Sequence, residues 1–400
     1  MTVLSKIFNP QSKVLYHLDT VLDYFDGKNV DPITMEIDPS NACNHSCPFC
    51  ISGHIHLKKF KGTEFFNRQM MDEETLLNLV QDLSKTKIKS IAFTGGGEPT
   101  MNPALKEAII YLKKNSNIQI GMYSNGSMMQ RFDLFETIVE SLEWIRVSID
   151  AGNKKSYDDL RVTNSTNNFD VVLSNIKKLI QKKKELKSNI IIGVGFVVTQ
   201  DNYKEVIDFA NLFKNIDIDY CQFKPEIIQI ERNGTQDNKK QQISSEFWAY
   251  KIIDLLNEAS QILGKKFESN AYKIEDLIID QENYGRGYKE CIGSQFQPCI
   301  GADGHVYVCT NHRGHKKYSY GNLYEESFEK IWGNIKRRKK IMNIINKKEK
   351  FCNCTQLCKP HESNKMLWSI KNNLDNKVAI KDLKKKSKEI GNSLLHKNFI

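Results

Sequence analysis

Three cysteines stand close together near the start of the chain, directly after an apolar run at residues 33–37. They are Cys43, Cys47 and Cys50, in the spacing C-x3-C-x2-C. Cysteine thiolates are ligands of iron–sulfur clusters and of zinc. A [4Fe–4S] cluster has four irons, so a loop with three thiolates leaves one iron open for a ligand from outside the protein. A structural zinc site would need a fourth protein ligand, which locally would be His45.

This spacing resembles the signature of the radical S-adenosylmethionine (SAM) enzymes, with Phe49 at the aromatic position before the last cysteine. In that family the amine and carboxylate of SAM bind the open iron. One electron from the cluster then cleaves SAM, and a 5′-deoxyadenosyl radical removes a hydrogen atom from the substrate. The resemblance therefore implies a [4Fe–4S] cluster, SAM and a reductant such as flavodoxin or ferredoxin. In such enzymes the cofactor carries the difficult chemistry, and the protein binds and orients it.

A glycine-rich turn, Thr94-Gly95-Gly96-Gly97-Glu98-Pro99, follows the second predicted strand. Glycines let backbone N–H groups approach a ligand closely, and a carboxylate accepts hydrogen bonds from an ammonium group. Such a turn alone is equally typical of a plain tight turn or a phosphate loop. Beside the three cysteines it resembles the family's GGE motif, which binds the SAM amino group. The residues assigned to that motif are Gly96, Gly97 and Glu98.

Small polar residues follow the next two predicted strands. Ser148 and Asp150 alternate along an extended strand and would share one face, where they suit ribose hydroxyls or a carboxylate. Asp150 would equally cap the following turn. By resemblance, Ser124, Ser148 and Asp150 match the family's polar contacts to SAM. Arg161 resembles an arginine that many members direct at the SAM carboxylate, a group suited to a guanidinium, and an exposed helix end is the alternative position.

Hydrophobic periodicity predicts six strands that alternate with amphipathic helices. The strands are predicted at residues 33–38, 90–94, 118–124, 144–150, 190–198 and 220–224. This alternation indicates an α/β fold with parallel β/α units, whose ligands gather at the carboxyl ends of the strands. We therefore expect a partial (β/α)6 radical SAM barrel over residues 33–226, preceded by a helical extension at residues 1–32 and followed by a helical bridge at 227–290.

Six more cysteines lie between residues 291 and 358. They are Cys291, Cys299, Cys309, Cys352, Cys354 and Cys358. The Asp303-Gly304 pair between alternating residues predicts a tight hairpin. Cys291, Gly304 and Cys309 fit the C-x(9–15)-G-x4-C pattern that opens the SPASM and Twitch extensions of radical SAM enzymes. The resemblance implies a small α+β domain at residues 291–370 with at least one auxiliary [4Fe–4S] cluster, and a lysine-rich tail at residues 371–400 would follow it.

The six thiols leave the number of auxiliary clusters open. Two complete clusters would need eight thiolates, so a single cluster is favoured. An open iron or a histidine ligand would allow a second cluster, and the candidates are His312, His315 and His361. A zinc site with His361 is the structural alternative. Cys299, if it is not a ligand, would be a hydrogen donor for an epimerase.

Composition limits the partners and the compartment. The formal net charge is +10, but the lysines occur in short runs mixed with asparagine and isoleucine. Such runs are typical of solvated helix faces, and no aromatic-interleaved motif indicates nucleic acid. No apolar run reaches the roughly 20 residues that cross a bilayer. Without a signal peptide, we expect a cytoplasmic protein whose ten cysteines are metal ligands rather than disulfides.

Together the two halves predict an oxidoreductase that abstracts hydrogen from a polar substrate. The auxiliary cluster would accept the electron left on the product radical, giving a dehydrogenation or a crosslink. A proton must also leave, which requires a general base. The candidates are Glu226, Tyr284, Arg286 and Asp303. The substrate would be a small polar metabolite or a peptide. The alternatives are a maturase that forms a crosslink or an epimer in a peptide or protein, and a non-catalytic iron–sulfur or zinc-binding protein.

Overall fold

A computed structural model describes residues 10–163, 168–226, 251–269, 287–347, 358–390 and 396–400. Four of the residues singled out in the sequence lie outside these ranges, namely Tyr284, Arg286, Cys352 and Cys354. In the described part of the chain, no helix is both long enough and apolar enough to cross a membrane.

A parallel sheet forms the centre of the molecule. Its first six strands are β1 (Thr34–Ile37), β2 (Ser90–Phe93), β3 (Gln119–Ser124), β4 (Trp144–Ser148), β5 (Ile191–Val198) and β6 (Tyr220–Pro225). They lie side by side in chain order and are all parallel. The six predicted strands are thus confirmed, within two residues at each end. Their carboxyl ends meet along one edge of the sheet.

Four further strands extend this sheet on both sides. They are β7 (Phe267–Ser269), β8 (Cys299–Ile300), β9 (His305–Tyr307) and β10 (Ser319–Asn322). The strand order is β10-β9-β8-β1-β2-β3-β4-β5-β6-β7, so the sheet is an open barrel rather than a closed one. The α/β fold class predicted from the sequence is confirmed.

Helices cover the apolar face of the sheet. They are α1 (Pro10–Tyr16), α2 (Leu18–Phe25), α3 (Gly53–His56), α4 (Glu73–Ser84), α5 (Leu105–Asn115), α6 (Phe135–Ser141), α7 (Lys154–Arg161), α8 (Asn168–Glu185), α9 (Val206–Phe213), α10 (Ile253–Leu263), α11 (Phe328–Gly333), α12 (Ile335–Ile345), α13 (His361–Lys371) and α14 (Lys377–Ile390). On α4, Leu76, Val80 and Leu83 repeat at helical spacing and are fully buried. The Asp72 side chain caps that helix by accepting from the Thr75 amide at 2.8 Å.

The opposite, concave face of the sheet is largely polar. Glu36, Arg146 and Gln222 alternate with the apolar residues of their strands, and all three are buried. The amino end of this face is filled by aromatic rings. A Cβ at Gly121 would overlap the Trp144 ring, and a Cβ at Gly193 would overlap the Tyr220 ring. Glycine at these two positions therefore makes room for the rings.

The predicted hairpin around Asp303-Gly304 is confirmed, and it belongs to the same sheet. Strand β8 pairs in parallel with β1, where Cys299 lies opposite Glu36. Strand β9 then pairs antiparallel with β8, and Gly304 takes the positive φ (77°) of a tight turn. The C-terminal cysteine region is therefore joined to the strand that leads into the N-terminal cysteines.

The end of the described chain closes the amino end of the sheet. The carbonyl oxygen of Asn398 accepts from Thr34 Oγ1 (2.8 Å) and Ser90 Oγ (2.6 Å). The Phe399 ring meets Trp144 edge to face, at 5.4 Å between centroids. The sequence predicts a lysine-rich tail at residues 371–400. Helix α14 carries many of those lysines, whereas Phe399 and Ile400 at the end of the chain are buried.

Candidate active site

The cysteine loop leaves the carboxyl end of β1 and lies against the glycine-rich turn after β2. The Gly97 amide donates to the Ser40 carbonyl oxygen and the Glu98 amide donates to that of Ala42, both at 2.9 Å. A Cβ at Gly97 would overlap the Ala42 carbonyl. Only glycine fits there, which explains in physical terms why the turn needs a glycine directly before Glu98.

The other side of the loop is held by the end of α7. The Ser46 amide donates to the Val162 carbonyl oxygen at 3.0 Å. Arg161 Nη1 donates to Cys47 Sγ at 3.7 Å, and Cys47 Sγ lies 3.8 Å from the Arg161 carbonyl oxygen. Val162 has a left-handed backbone (φ 36°), which is strained for a β-branched residue. The loop is thus fixed between elements that follow β2 and β4.

The three thiols of the loop can hold a cluster. Burial raises the pKa of Cys47 to about 11, partly offset by Arg161, and it also raises the pKa of Cys43 and Cys50. Thiols of this kind ionise when a metal binds them. Three thiolates bind three irons of a [4Fe–4S] cluster and leave the fourth open, whereas a structural zinc site needs four protein ligands.

Glu98 is buried and already has four protein donors. Its Oε1 accepts from Thr100 Oγ1 (2.6 Å), the Thr100 amide (3.2 Å) and Ser124 Oγ (2.7 Å). Its Oε2 accepts from the Asn125 amide at 2.7 Å. Burial raises the pKa of Glu98, and these hydrogen bonds partly lower it again. Glu98 therefore joins the turn after β2 to the end of β3, and Ser124 is its partner there.

Two asparagines, which the sequence analysis did not single out, tie the cysteine loop to the end of β3. Asn125 Nδ2 donates to Asn44 Oδ1, and Asn44 Nδ2 donates to Ser127 Oγ, both at 2.8 Å. Asn44 lies inside the cysteine motif and Asn125 directly follows a strand. These two positions could have identified both asparagines as candidate site residues from the sequence.

The geometry predicted for Ser148 and Asp150 was wrong. Strand β4 ends at Ser148, and Asp150 has a left-handed backbone (φ 61°), so the two do not share an extended face. The Asp150 carboxylate forms a buried ion pair with Arg161 and accepts from the Val197 amide at 2.7 Å. Arg161 is likewise buried rather than exposed at a helix end. Asp150 and Arg161 thus hold each other and the cysteine loop, while Ser148 is half-buried at the strand end.

Arg313, from the loop between β9 and β10, reaches into the same region. Its Nε lies 2.5 Å from Asp38 Oδ2. Its Nη1 donates to Ser52 Oγ (2.7 Å) and to the Gly95 carbonyl oxygen (3.0 Å). Burial raises the pKa of Asp38 to about 7, and the guanidinium limits that rise. Sequence reasoning missed both residues, since Arg313 lies in a loop without periodicity or motif.

Cys299 faces this charged group. Its Sγ lies 4.0 Å from Asp38 Oδ2 and accepts from Arg313 Nη2 at 3.5 Å. Cys291 and Cys309 lie elsewhere, and both raise the pKa of Tyr320, which burial raises most strongly. The Cys291 amide donates to Asn346 Oδ1 at 2.9 Å, and its Sγ accepts from Asn364 Nδ2 at 3.4 Å.

Cys358 is buried just before α13. His361 Nδ1 shares a hydrogen bond with the Tyr288 hydroxyl at 2.9 Å. The His315 ring instead contacts Phe65 at 4.4 Å between centroids, in the segment after the cysteine loop. The two histidines therefore lie in different surroundings.

The two described base candidates differ sharply. Glu226 directly follows β6 at the carboxyl end of the sheet, and burial raises its pKa to about 7, with a contribution from Asp201. Such a value suits a general base at neutral pH. Asp303 accepts from the Tyr307 hydroxyl at 2.6 Å and belongs to the hairpin turn. Glu226 is thus the better placed of the two.

Comparisons with known proteins agree with this geometry. The model of the radical SAM superfamily matches residues 37–210, and the SPASM model, an iron–sulfur cluster-binding domain, matches residues 291–359. The chain is 25% identical over 189 residues to a tungsten-containing aldehyde ferredoxin oxidoreductase cofactor-modifying protein of Pyrococcus furiosus, covering 46% of this chain and 48% of that protein. It is 26% identical over 185 residues to a probable GTP 3′,8-cyclase of Saccharolobus solfataricus, covering 46% and 54%. The chain thus matches about half the length of these two relatives.

Among solved structures, Streptococcus suis SuiB bound to the precursor peptide SuiA aligns with a TM-score of 0.61 at 14% identity. The alignment covers 90% of this chain and 77% of that one, which shows a common fold. The chain belongs to the radical SAM superfamily and carries a C-terminal SPASM domain, the families whose cofactors are SAM, a [4Fe–4S] cluster and auxiliary iron–sulfur clusters.

Proposed function

We propose that the enzyme carries out a two-electron oxidation of a polar substrate, with an auxiliary cluster as the electron acceptor. The observation that carries this proposal is the pairing of β8 with β1, which puts the SPASM hairpin and the cysteine loop on neighbouring strands. Arg313 adds direct contacts between the two, through Ser52 and Gly95. A cluster-binding hairpin joined to the strand that leads into the radical site suits removal of an electron from the product.

The N-terminal site is proposed to work as follows. Cys43, Cys47 and Cys50 hold the cluster, and Phe49 packs beside them. When bound, the cluster and SAM supply a radical that abstracts hydrogen. The backbone of Gly96 and Gly97 lines the SAM amino group, and the remaining acceptor capacity of Glu98 Oε2 is directed at it. Ser124 and Ser148 border the SAM site.

Asp150 and Arg161 are proposed to hold other parts of this site in place. Their ion pair is buried, and Arg161 contacts the Cys47 thiol. We assign them to fixing the cysteine loop and the strand ends that surround SAM. A SAM carboxylate would meet the guanidinium only beside the Asp150 carboxylate.

Glu226 is the proposed general base. It takes up the proton that leaves when the substrate is oxidised, so hydrogen, proton and electron are all accounted for. The auxiliary ligands are proposed among Cys291, Cys299, Cys309, Cys352, Cys354 and Cys358, with Cys291 and Cys309 as the core pair because they fit the C-x(9–15)-G-x4-C pattern of the SPASM and Twitch extensions.

A peptide is the substrate class that the structural comparison favours. SuiB, which aligns over most of this chain, has been solved with a precursor peptide. The relatives named as GTP cyclases favour a nucleotide instead, but their match covers only 46% of this chain. A one-electron reductant such as flavodoxin or ferredoxin completes the proposed reaction.

The test uses peptides encoded beside the gene, incubated without oxygen with the reconstituted enzyme, SAM and dithionite. We expect a product lighter by two hydrogen atoms, with deuterium from labelled peptide recovered in 5′-deoxyadenosine. A product of unchanged mass would contradict oxidation and favour epimerisation. Guanosine triphosphate serves as the competing substrate, and its conversion would exclude the peptide assignment.

A further inference from the structure

Helix α12 carries a dense positive charge. Its sequence contains five basic residues, from Lys336 to Lys340, and no acidic residue. Lys336, Lys339, Lys340 and Lys347 are exposed, and their spacing places them on one side of the helix and its continuation. We call these four residues the α12 lysine face. Among the residues with described positions, none of the four forms an ion pair, whereas the neighbouring Arg337 pairs with Glu326 at 2.6 Å.

The inner side of the same helix packs against the first SPASM cysteine. Asn346 Oδ1, just after the helix, accepts from the Cys291 amide at 2.9 Å. Met342 Sδ accepts from Ser294 Oγ at 3.4 Å. Because a helix with its side chains is about 10 Å across, the carboxyl end of the α12 lysine face, at Lys347, lies about one helix diameter from Cys291, and Lys336 lies about 15 Å further along the helix axis.

A groove of about 350 Å³ runs between α12 and α2 beside this face. Its walls include the rings of Tyr24 and Phe25 and the side chains of Ile292 and Met342. Lys28, Lys371 and Glu290 also line it; Lys371 pairs with Glu290, and Lys28 pairs with Asp23 at 2.5 Å. An apolar centre with a charged rim is the usual composition of a protein–protein contact, and charged rims speed the encounter of oppositely charged partners.

We propose that the α12 lysine face and this groove dock an acidic one-electron carrier protein. This inference rests on the proposed function, because it requires an auxiliary cluster that must give up an electron after each turnover. The carrier gains one electron, the cluster loses one, and no atom or proton is transferred. An acidic protein fits because the four lysines of the α12 lysine face form no ion pair within the described ranges and lie beside the partly apolar groove.

A lysine-rich helix usually has only a solvated face. Helix α12 is assigned as the docking site because it packs against Cys291. Helix α14 also exposes four lysines, Lys381, Lys384, Lys385 and Lys388, but it packs on α1 rather than on a cysteine. It provides a control of matched charge.

The experiment titrates oxidised flavodoxin, an acidic carrier, into the reconstituted holoenzyme and measures affinity by calorimetry at low and high salt. We expect native affinity to fall about tenfold or more with added salt, as steered contacts do. The fourfold reversal K336E/K339E/K340E/K347E is expected to abolish measurable binding, and the corresponding glutamine variant to lose part of it. The α14 reversal K381E/K384E/K385E/K388E should bind like the native protein.

Binding by the α12 reversal equal to native, or an equal loss in the α14 reversal, would overturn the docking site. Circular dichroism and iron content show that each variant is folded and loaded. Failure of the proposed function is seen separately, in the native enzyme, as a substrate product that is not oxidised. The two ideas can therefore fail independently.

Discussion

Gly97, in the glycine-rich turn, is in tight contact with the cysteine loop, because a Cβ there would overlap the Ala42 carbonyl. We predict that Gly97→Ala weakens SAM binding by about tenfold or more, because overpacking against a backbone carbonyl costs about 1–3 kcal/mol. Equilibrium dialysis with the reconstituted protein measures this. Gly333→Ala is the matched control, since a Cβ there meets no atom within 4 Å. Equal affinities for the two variants would show that the turn does not contact SAM.

Glu226 gives a prediction about pH. A base must be ionised to accept a proton, and burial raises the pKa of Glu226 to about 7. We therefore expect kcat/KM to rise with pH up to about 7 and then level off, and Glu226→Gln to remove this limb and most of the turnover. Formation of 5′-deoxyadenosine without product would persist. A variant with the native pH profile would assign the base elsewhere.

From residue types and spacing, the three cysteines, the glycine-rich turn and the polar strand ends could be chosen as candidate site residues. They did not predict what each side chain bonds to. Glu98 is occupied by Thr100, Ser124 and Asn125, and Asp150 turns to Arg161 through a left-handed backbone. Apart from the contact with Thr100, these contacts join residues 11 to 27 positions apart in the chain, and no local pattern encodes them.

At the scale of elements, the end of α7 fixes the cysteine loop. We predict that Arg161→Ala lowers the free energy of unfolding by about 3–5 kcal/mol, because it leaves the Asp150 carboxylate buried without its partner. Urea unfolding measures the change, and iron content should fall with it. Lys154→Ala removes an exposed pair with Asp170 from the same helix and should cost less than about 1 kcal/mol. Equal losses of unfolding free energy in the two variants would show that Arg161 does not fix the cysteine loop.

Strands β1 to β6 were predictable because each is an apolar run bounded by turn residues. The hairpin of β8 and β9 was also predictable, from Asp303-Gly304 between alternating residues, but the place of β8 beside β1 was not. Its pairing with β1 depends on a partner about 260 residues earlier in the chain, a contact that local hydrophobic patterning does not record. The relation between the hairpin and the barrel therefore emerges only in the folded structure.

The whole molecule is held together by contacts between distant parts of the chain. Val14 and Leu18 share a core with Phe296, Leu367 and Ile400. From the sequence, the helical extension at residues 1–32 and the lysine-rich tail at residues 371–400 were expected to be separate. An amphipathic face shows that a helix is buried but does not show which element it packs against. Both ends of the chain therefore contribute to one hydrophobic core, which also includes Ile33 just before β1.

The central claim is that Cys43, Cys47 and Cys50 hold a cluster with an iron free to bind SAM. Electron paramagnetic resonance of the reduced C291A/C309A variant, with and without SAM, tests it most directly. We predict that SAM shifts the remaining cluster signal, and that adding C43A/C47A/C50A removes that signal. A signal that ignores SAM, or that survives loss of these three cysteines, would contradict the account.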